Sequence, residues 1–70
     1  MKQKIKIYLT NSRDIDTTIN LTGISIDVVG AHIEREMVKI GQVGYFVKDE
    51  YFTTYYPPNQ IKKIEVKRNL

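Results

Sequence analysis

The sequence predicts an all-β fold, a small antiparallel barrel of five to seven short strands. Apolar and polar residues alternate along most of the chain, and β-branched residues are frequent in these segments, which is typical of half-buried strands. Turn-forming residues separate the segments at intervals of about 8–12 residues. A closed barrel also removes the two exposed edges that an open sheet of this size would carry.

Length and composition predict a single small domain over residues 1–70. A chain of 70 residues without cysteine has a small core and no disulfide or thiolate metal site to support it, so a homodimer is one way to add stability. The 41% hydrophobic and 27% charged content is that of a folded domain. No apolar run approaches the length of a membrane span, and the basic N-terminus is not a signal peptide. A cytoplasmic protein without membrane contact is therefore predicted.

The first 21 residues predict a β-hairpin. In the segment KQKIKIYLT, Ile5, Ile7 and Leu9 alternate with lysines and Tyr8, so the apolar side chains share one face. Residues 11–14 are turn formers. The following segment, IDTTINL, alternates again and predicts the second strand.

Residues 23–41 fit two patterns. The stretch from Ile24 to Val28 alternates, which favours two strands joined by a turn at Gly30. The apolar residues also recur at helical spacing, in the order Ile26, Val29, Ile33, Met37 and Ile40. We expect the strands, because Gly30 within a helix costs about 1 kcal/mol relative to alanine. A helix over residues 25–40, which would make the fold α+β, is the alternative.

The C-terminal third predicts a second hairpin and a final strand. QVGYFVK and YFTTYYP are aromatic, β-branched segments separated by two acidic residues. Pro57-Pro58 ends the second segment, because proline lacks the N–H of a ladder bond. In the last segment, Ile61 is out of phase with Ile64 and Val66, which predicts a β-bulge near Lys62-Lys63.

Few residues could carry catalysis or hold a metal. The one histidine, His32, has no cysteine and no serine in a glycine-rich elbow to act with, and the scattered carboxylates lack ligand spacing. The pairs Asp14/Asp16 and Asp49/Glu50 fall in or beside predicted turns, where solvated acids are common. We therefore predict a non-enzymatic protein with no catalytic residue, no cofactor and no metal.

Charge is unevenly distributed along the chain. Residues 1–13 carry a net charge of +4 and residues 51–70 of +3, whereas residues 14–50 hold seven acids against three bases. If the first and last strands lie side by side, four lysines meet on one outward surface. We name this set the basic strip: Lys4, Lys6, Lys63 and Lys67, with Lys62 at its border. Such a strip attracts phosphates, although lysines are also ordinary solvent-facing residues of edge strands.

Six of the seven aromatic residues lie between Tyr45 and Tyr56. Alternate residues of a strand face opposite ways, so we expect Tyr51 and Tyr55 on one face and Phe52 and Tyr56 on the other, core-facing one. Exposed Tyr51 and Tyr55 could anchor a protein interface or stack single-stranded bases beside lysines. The alternative is that all the rings pack across strands.

Two segments carry family resemblances. KIKIYLTNSRDID resembles the opening of Sm-like small barrels, which, like SH3-like barrels, have the fold class predicted above. An Asn-Ser pair stands where their Asn-Gly turn would be, and their N-terminal helix is missing. The ending YYPPNQIKKIEVK and the richness in Ile, Lys, Asn and Tyr resemble short uncharacterised phage and prophage proteins of low-GC Gram-positive bacteria. That resemblance implies a phage accessory role and names no chemistry.

Two functions follow as expectations. The first is a small binding module that acts by protein–protein interaction through an aromatic surface with Tyr51 and Tyr55. The second is a nucleic-acid-binding barrel that uses the basic strip, Lys62 and the same tyrosines to bind a single strand. Salt dependence separates them, because phosphate binding weakens steeply with salt and an aromatic protein interface does not.

Overall fold

The structure is a computed structural model that describes residues 1–68. In chain order the elements are β1 (Lys2–Leu9), β2 (Ile15–Asn20), α1 (Val29–Val43), β3 (Tyr45–Lys48), β4 (Thr53–Tyr56) and β5 (Ile61–Val66). A 3-10 turn at Ile26–Val28 precedes α1, and another at Pro58–Gln60 precedes β5. The strands form two antiparallel sheets, one with the order β2-β1-β5 and one consisting of the β3–β4 hairpin. The fold is therefore α+β.

The prediction of an all-β, SH3- or Sm-like barrel is wrong. Closing such a barrel would require ladders from β2 to β3 and from β4 to β5, and within residues 1–68 the two sheets are separate. A helix occupies the middle of the chain, where the barrel prediction needs two more strands. Closure fails because those residues fill the space over the sheet instead of extending it.

The helix α1 also overturns the expectation of strands in this region. Its apolar residues at helical spacing all pack against the core: Val29, Ile33, Met37 and Ile40. Burial of that stripe outweighs the local preference of β-branched residues for strands. The cost expected at Gly30 is reduced because this residue lies in the first turn of α1. Ile26 precedes α1 and is 88% exposed, so it is not part of the buried stripe.

One face of the three-stranded sheet packs against α1. The buried side chains come from alternate positions of the first hairpin and from the helix: Ile5, Ile7, Leu9, Ile19, Leu21 and Ile33. This confirms the predicted alternation, and the turn at residues 11–14 lies between β1 and β2 as expected. The other face of the sheet carries the lysine-rich positions of β1.

The first and last strands are neighbours, as the basic-strip argument required. β5 runs antiparallel to β1, and the register shifts between Tyr8 and Leu9, which pair with Lys63 and Ile61. Lys62 is the extra residue, so the predicted bulge is confirmed. The shift brings Ile61 to the core side of the sheet. The predicted second hairpin is confirmed as well, and no helix within residues 1–68 is both long and apolar enough to span a membrane.

Candidate binding surfaces

The turn of the second hairpin is built around Asp49. Its carboxylate accepts hydrogen bonds from the backbone N–H groups of Tyr51 at 2.8 Å and Phe52 at 2.7 Å. Its own N–H donates to the Phe52 carbonyl at 2.9 Å. The N–H of Phe52, and then that of Tyr51, hold the pKa of Asp49 below its ordinary value. An aspartate side chain thus does here what an Asn-Gly pair does in shorter turns.

This turn changes where two aromatic residues lie. Tyr51 and Phe52 belong to the turn and are 81% and 70% exposed, so the prediction that Phe52 faces the core is wrong. Tyr56 packs against the core as predicted. Tyr51 and Tyr55 do not share a strand, because β4 begins only at Thr53. The turn spans residues 49–52, two residues more on the C-terminal side than the acidic pair alone, and this moves both rings to the tip.

The outer face of the hairpin carries two rings in contact. Phe46 pairs with Tyr55 across the strands, and their ring centroids are 4.7 Å apart with an angle of 35° between the planes. The Tyr55 hydroxyl donates to the carbonyl of Val43, at the end of α1, at 2.6 Å. The rings are held in place while Phe46 stays 56% and Tyr55 45% exposed. We name the exposed aromatic side chains of the hairpin the aromatic patch: Phe46, Tyr51, Phe52 and Tyr55.

Sequence reasoning did not identify Phe46 as a surface residue. The signal was available, because Phe46 alternates with Tyr45 and Val47, and Tyr45 faces the core. Aromatic residues in a hairpin divide between the two faces by their parity. The same parity in β3 places Phe46 on the outer face, opposite Tyr55.

The hairpin is joined to the rest of the molecule by its inner face. Tyr45 and Tyr56 pack against the core, and the Tyr45 hydroxyl lies 2.8 Å from Oγ1 of Thr17 on β2, forming a partly buried hydrogen bond. Beside this contact, a groove separates β2 from β3. The C-terminal half of α1 lines it with apolar residues and with the charged pair Glu36 and Lys39.

The open face of the sheet brings the basic strip together. The β1–β5 register places Lys4 and Lys6 on the same face as Lys63 and Lys67, and Lys62 lies at its border in the bulge. Two carboxylates interrupt the strip, because Lys6 pairs with Asp16 on one side and with Glu65 on the other. The strip is therefore a mixed surface with an excess of lysine.

Ion pairs reduce the charge of the strip further. The Lys6 Nζ lies 4.0 Å from Oδ2 of Asp14, and the Lys63 Nζ lies 3.8 Å from Oε2 of Glu65. A hydrogen bond with the Tyr8 hydroxyl, and then the charge of Lys63, lower the pKa of Glu65. The same hydrogen bond raises the pKa of Tyr8. Glu65 is thus ionised at neutral pH and stays as a negative charge within the strip.

Tyr8 is the aromatic residue of this face. The sequence pattern places it on the lysine side of β1, but it was not among the predicted binding residues. The Nζ atoms of Lys63 and Lys6 lie 4.7 Å and 5.6 Å from the centre of its ring, within the range of cation–π contact. Tyr8 alternates in step with Lys4 and Lys6 along β1, so its side chain lies on the same face of the sheet as theirs. The tyrosines expected beside the strip, Tyr51 and Tyr55, are on the hairpin instead.

The candidate metal ligands remain dispersed in the folded chain. Within residues 1–68, no group of three or more His, Cys, Asp or Glu side chains is arranged to hold a metal ion. His32 lies in α1, and Asp49 is engaged in its turn. Two surfaces are left as candidates, the aromatic patch and the open sheet face. No family model, curated protein or solved structure matches the chain. A function can therefore be inferred only from the geometry of these two surfaces.

Proposed function

We propose that the protein is a small, non-enzymatic binding module that contacts another protein chain through the aromatic patch. The exposed Phe46–Tyr55 ring pair is the observation that carries this proposal. Its members are fixed by their mutual contact and by the Tyr55 hydrogen bond to Val43. Rings that are already ordered lose little conformational entropy on binding, and aromatic side chains of this kind are the usual anchors of protein interfaces.

The charges next to the patch favour protein over nucleic acid as its partner. Asp49 and Glu50 lie between β3 and Tyr51 at the tip of the hairpin, and a low pKa keeps Asp49 ionised. Two carboxylates beside exposed rings repel a phosphate backbone. They are compatible with the polar rim that surrounds the apolar centre of a protein interface.

Photo-crosslinking in the cells that encode the protein tests this proposal. A photoreactive phenylalanine analogue is placed at Phe46, and in a matched chain at Ile26, which is also exposed and apolar. Ile26 precedes α1, whereas Phe46 follows it, and the helix of 15 residues is about 22 Å long. We expect a discrete protein adduct from position 46 that position 26 does not give.

Three results would contradict the proposal. One is the absence of any adduct from position 46. Another is the same set of adducts from both positions, which would mean that any exposed apolar residue is captured. The third is crosslinking to nucleic acid from position 46, which would count against a protein partner.

The open sheet face supports a second candidate function, binding of single-stranded nucleic acid. The specific observation is the Tyr8 ring, which lies between Lys6 and Lys63 on a face that also carries Lys4 and Lys67. A ring among lysines can stack a base while the lysines contact phosphates. Asp16 and Glu65 weigh against it, because they stand on both sides of Lys6.

An NMR titration with a mixed-sequence oligonucleotide at two salt concentrations tests this second candidate. If the four lysines of the basic strip contact phosphates, log K falls with log [salt] with a slope of about −3. Replacing Lys63 and Lys67 by Glu then abolishes the shifts, whereas Tyr51→Ala leaves them unchanged. Absence of shifts at low salt removes nucleic acid from consideration. The phage accessory role stays a prediction from resemblance.

A further inference from the structure

The chain exposes more surface than a compact monomer of its mass. Its accessible surface is 5739 Å², whereas the scaling for folded monomers of 8.2 kDa gives about 4,500 Å². Its radius of gyration of 12.7 Å likewise exceeds the value of about 11 Å for a compact chain of this length. The surface excess is about 1,200 Å². A standard protein interface removes about 800 Å² from each partner, so the excess is large enough to supply one.

The hairpin is where apolar surface is concentrated. All four side chains of the aromatic patch are exposed, and Val43, whose carbonyl holds Tyr55, is 54% exposed beside them. A two-stranded hairpin is marginally stable on its own, and this one is attached by the inner-face packing of Tyr45 and Tyr56 and by one outer-face hydrogen bond, from Tyr55 to Val43. Covering the outer face of the β3–β4 hairpin with apolar surface would therefore stabilise it.

The charged residues around the aromatic patch include both acids and bases. Lys39 and Glu36 line the groove beside Phe46. Lys48 is the last residue of β3, and the acidic residues Asp49 and Glu50 follow it in the turn. In a two-fold interface the same surface meets itself, so a border with both signs can be complementary to its own copy.

We propose that a second copy of the chain covers the aromatic patch in a two-fold symmetric dimer. This inference rests on the proposed function and identifies the partner at that same surface. The dimer places the two Phe46–Tyr55 ring pairs at the centre of the interface, with the mixed charges at its rim. Both basic strips stay outside it, because they lie on the opposite face of the main sheet from α1.

Sedimentation of the purified protein across micromolar to submillimolar concentrations tests the dimer. We expect a reversible monomer–dimer equilibrium, and Phe46→Glu should raise the dissociation constant at least about 30-fold, as removal of an interface anchor does. Ile26→Glu is the matched control, since it makes the same change at an exposed apolar residue and should leave the constant unchanged. Phe52→Glu, at the tip of the turn, provides a second patch variant, and circular dichroism checks that every variant is folded.

Photo-crosslinking of the purified chain separates failure of the dimer from failure of the proposed function. An adduct of twice the chain mass from position 46, and not from position 26, supports the dimer. A chain that stays monomeric and gives no such adduct overturns the dimer. If position 46 still captures a different protein in cells, the binding function survives with another partner, and if it captures nothing there, both proposals fail. A dimer that Phe46→Glu and Phe52→Glu leave intact contradicts the placement of the interface.

Discussion

At the scale of single residues, Gly44 fixes the direction in which the hairpin leaves the helix. Its φ is +97° and its ψ is −174°, a region that side chains essentially exclude. A Cβ at this position would lie 2.5 Å from the Tyr56 carbonyl oxygen and 2.7 Å from the Tyr55 ring. The close approach of the chain to β4 therefore depends on the missing side chain as much as on the backbone angles.

Replacing Gly44 by alanine should destabilise the protein. We expect the free energy of unfolding to fall by about 1–3 kcal/mol, because alanine must adopt a strained backbone conformation and displace Tyr56. Urea denaturation monitored by circular dichroism measures the change. The aromatic patch should be disturbed as well, since Tyr55 contacts the same site.

Gly41 provides the control for this substitution. It lies in the last turns of α1, and a Cβ there would meet nothing within 4 Å. Alanine has a higher helix propensity than glycine, so Gly41→Ala should raise the free energy of unfolding by about 0.5–1 kcal/mol. An equal loss of stability in both variants would show that the effect of Gly44→Ala does not come from the positive φ of Gly44.

Asp49 determines the shape of the hairpin turn. Asp49→Ala removes the acceptor of two backbone hydrogen bonds, so the amide protons of Tyr51 and Phe52 should exchange faster with solvent. Asp49→Asn keeps an oxygen at the same position and should preserve most of the protection. Hydrogen exchange followed by NMR compares these two variants with the parent protein. Equal protection in the alanine variant would mean that strand pairing alone holds the turn.

The same residue predicts a pH dependence. The folded state lowers the pKa of Asp49, so folding favours its ionised form. Its contribution is therefore fully present above the pKa of the unfolded chain and is lost as pH falls through the lower, folded value. Protection at Tyr51 and Phe52 should decline below about pH 4. In Asp49→Asn this decline should be absent.

At the scale of elements, Ile33 reports whether the middle of the chain is a helix packed on the sheet. It is the buried residue of α1, and Ile33→Val should lower the free energy of unfolding by about 0.5–1.5 kcal/mol. Ile26→Val makes the same change at a residue that is 88% exposed and should stay within about 0.5 kcal/mol of the parent. Denaturant titrations compare the two. Equal effects would contradict the packing of Ile33 in the core and the exposed position of Ile26 before α1.

At the scale of the whole molecule, one side-chain hydrogen bond within residues 1–68 connects the two sheets. Tyr45 on β3 and Thr17 on β2 form it at 2.8 Å in a partly buried position. A double-mutant cycle with Tyr45→Phe and Thr17→Val should give a coupling free energy of about 0.5–1.5 kcal/mol. A coupling near zero would show that this hydrogen bond does not help to hold the hairpin on the three-stranded sheet.

How much of this arrangement could be predicted depends on how far apart in sequence the interacting residues are. Period-2 alternation is local, and it correctly predicts β1, β2, both hairpins and the inward side of β5. The bulge at Lys62 was also predicted, since the phase error of Ile61 lies within one segment. The basic strip needed one long-range assumption, the pairing of β1 with β5, and the structure contains that pair.

The sequence by itself determined β1, β2 and β5, the inward faces of these three strands and the first turn, because these depend on residues a few positions apart. Only the tertiary structure decided between strands and helix in the middle of the chain, since the strand alternation from Ile24 to Val28 overlaps the helical spacing that runs from Ile26 to Ile40. The helix prevails because it places four apolar side chains on one face over a sheet that has a face to cover. That choice leaves the barrel open, and together with the turn at Asp49 it puts the aromatic patch in solvent.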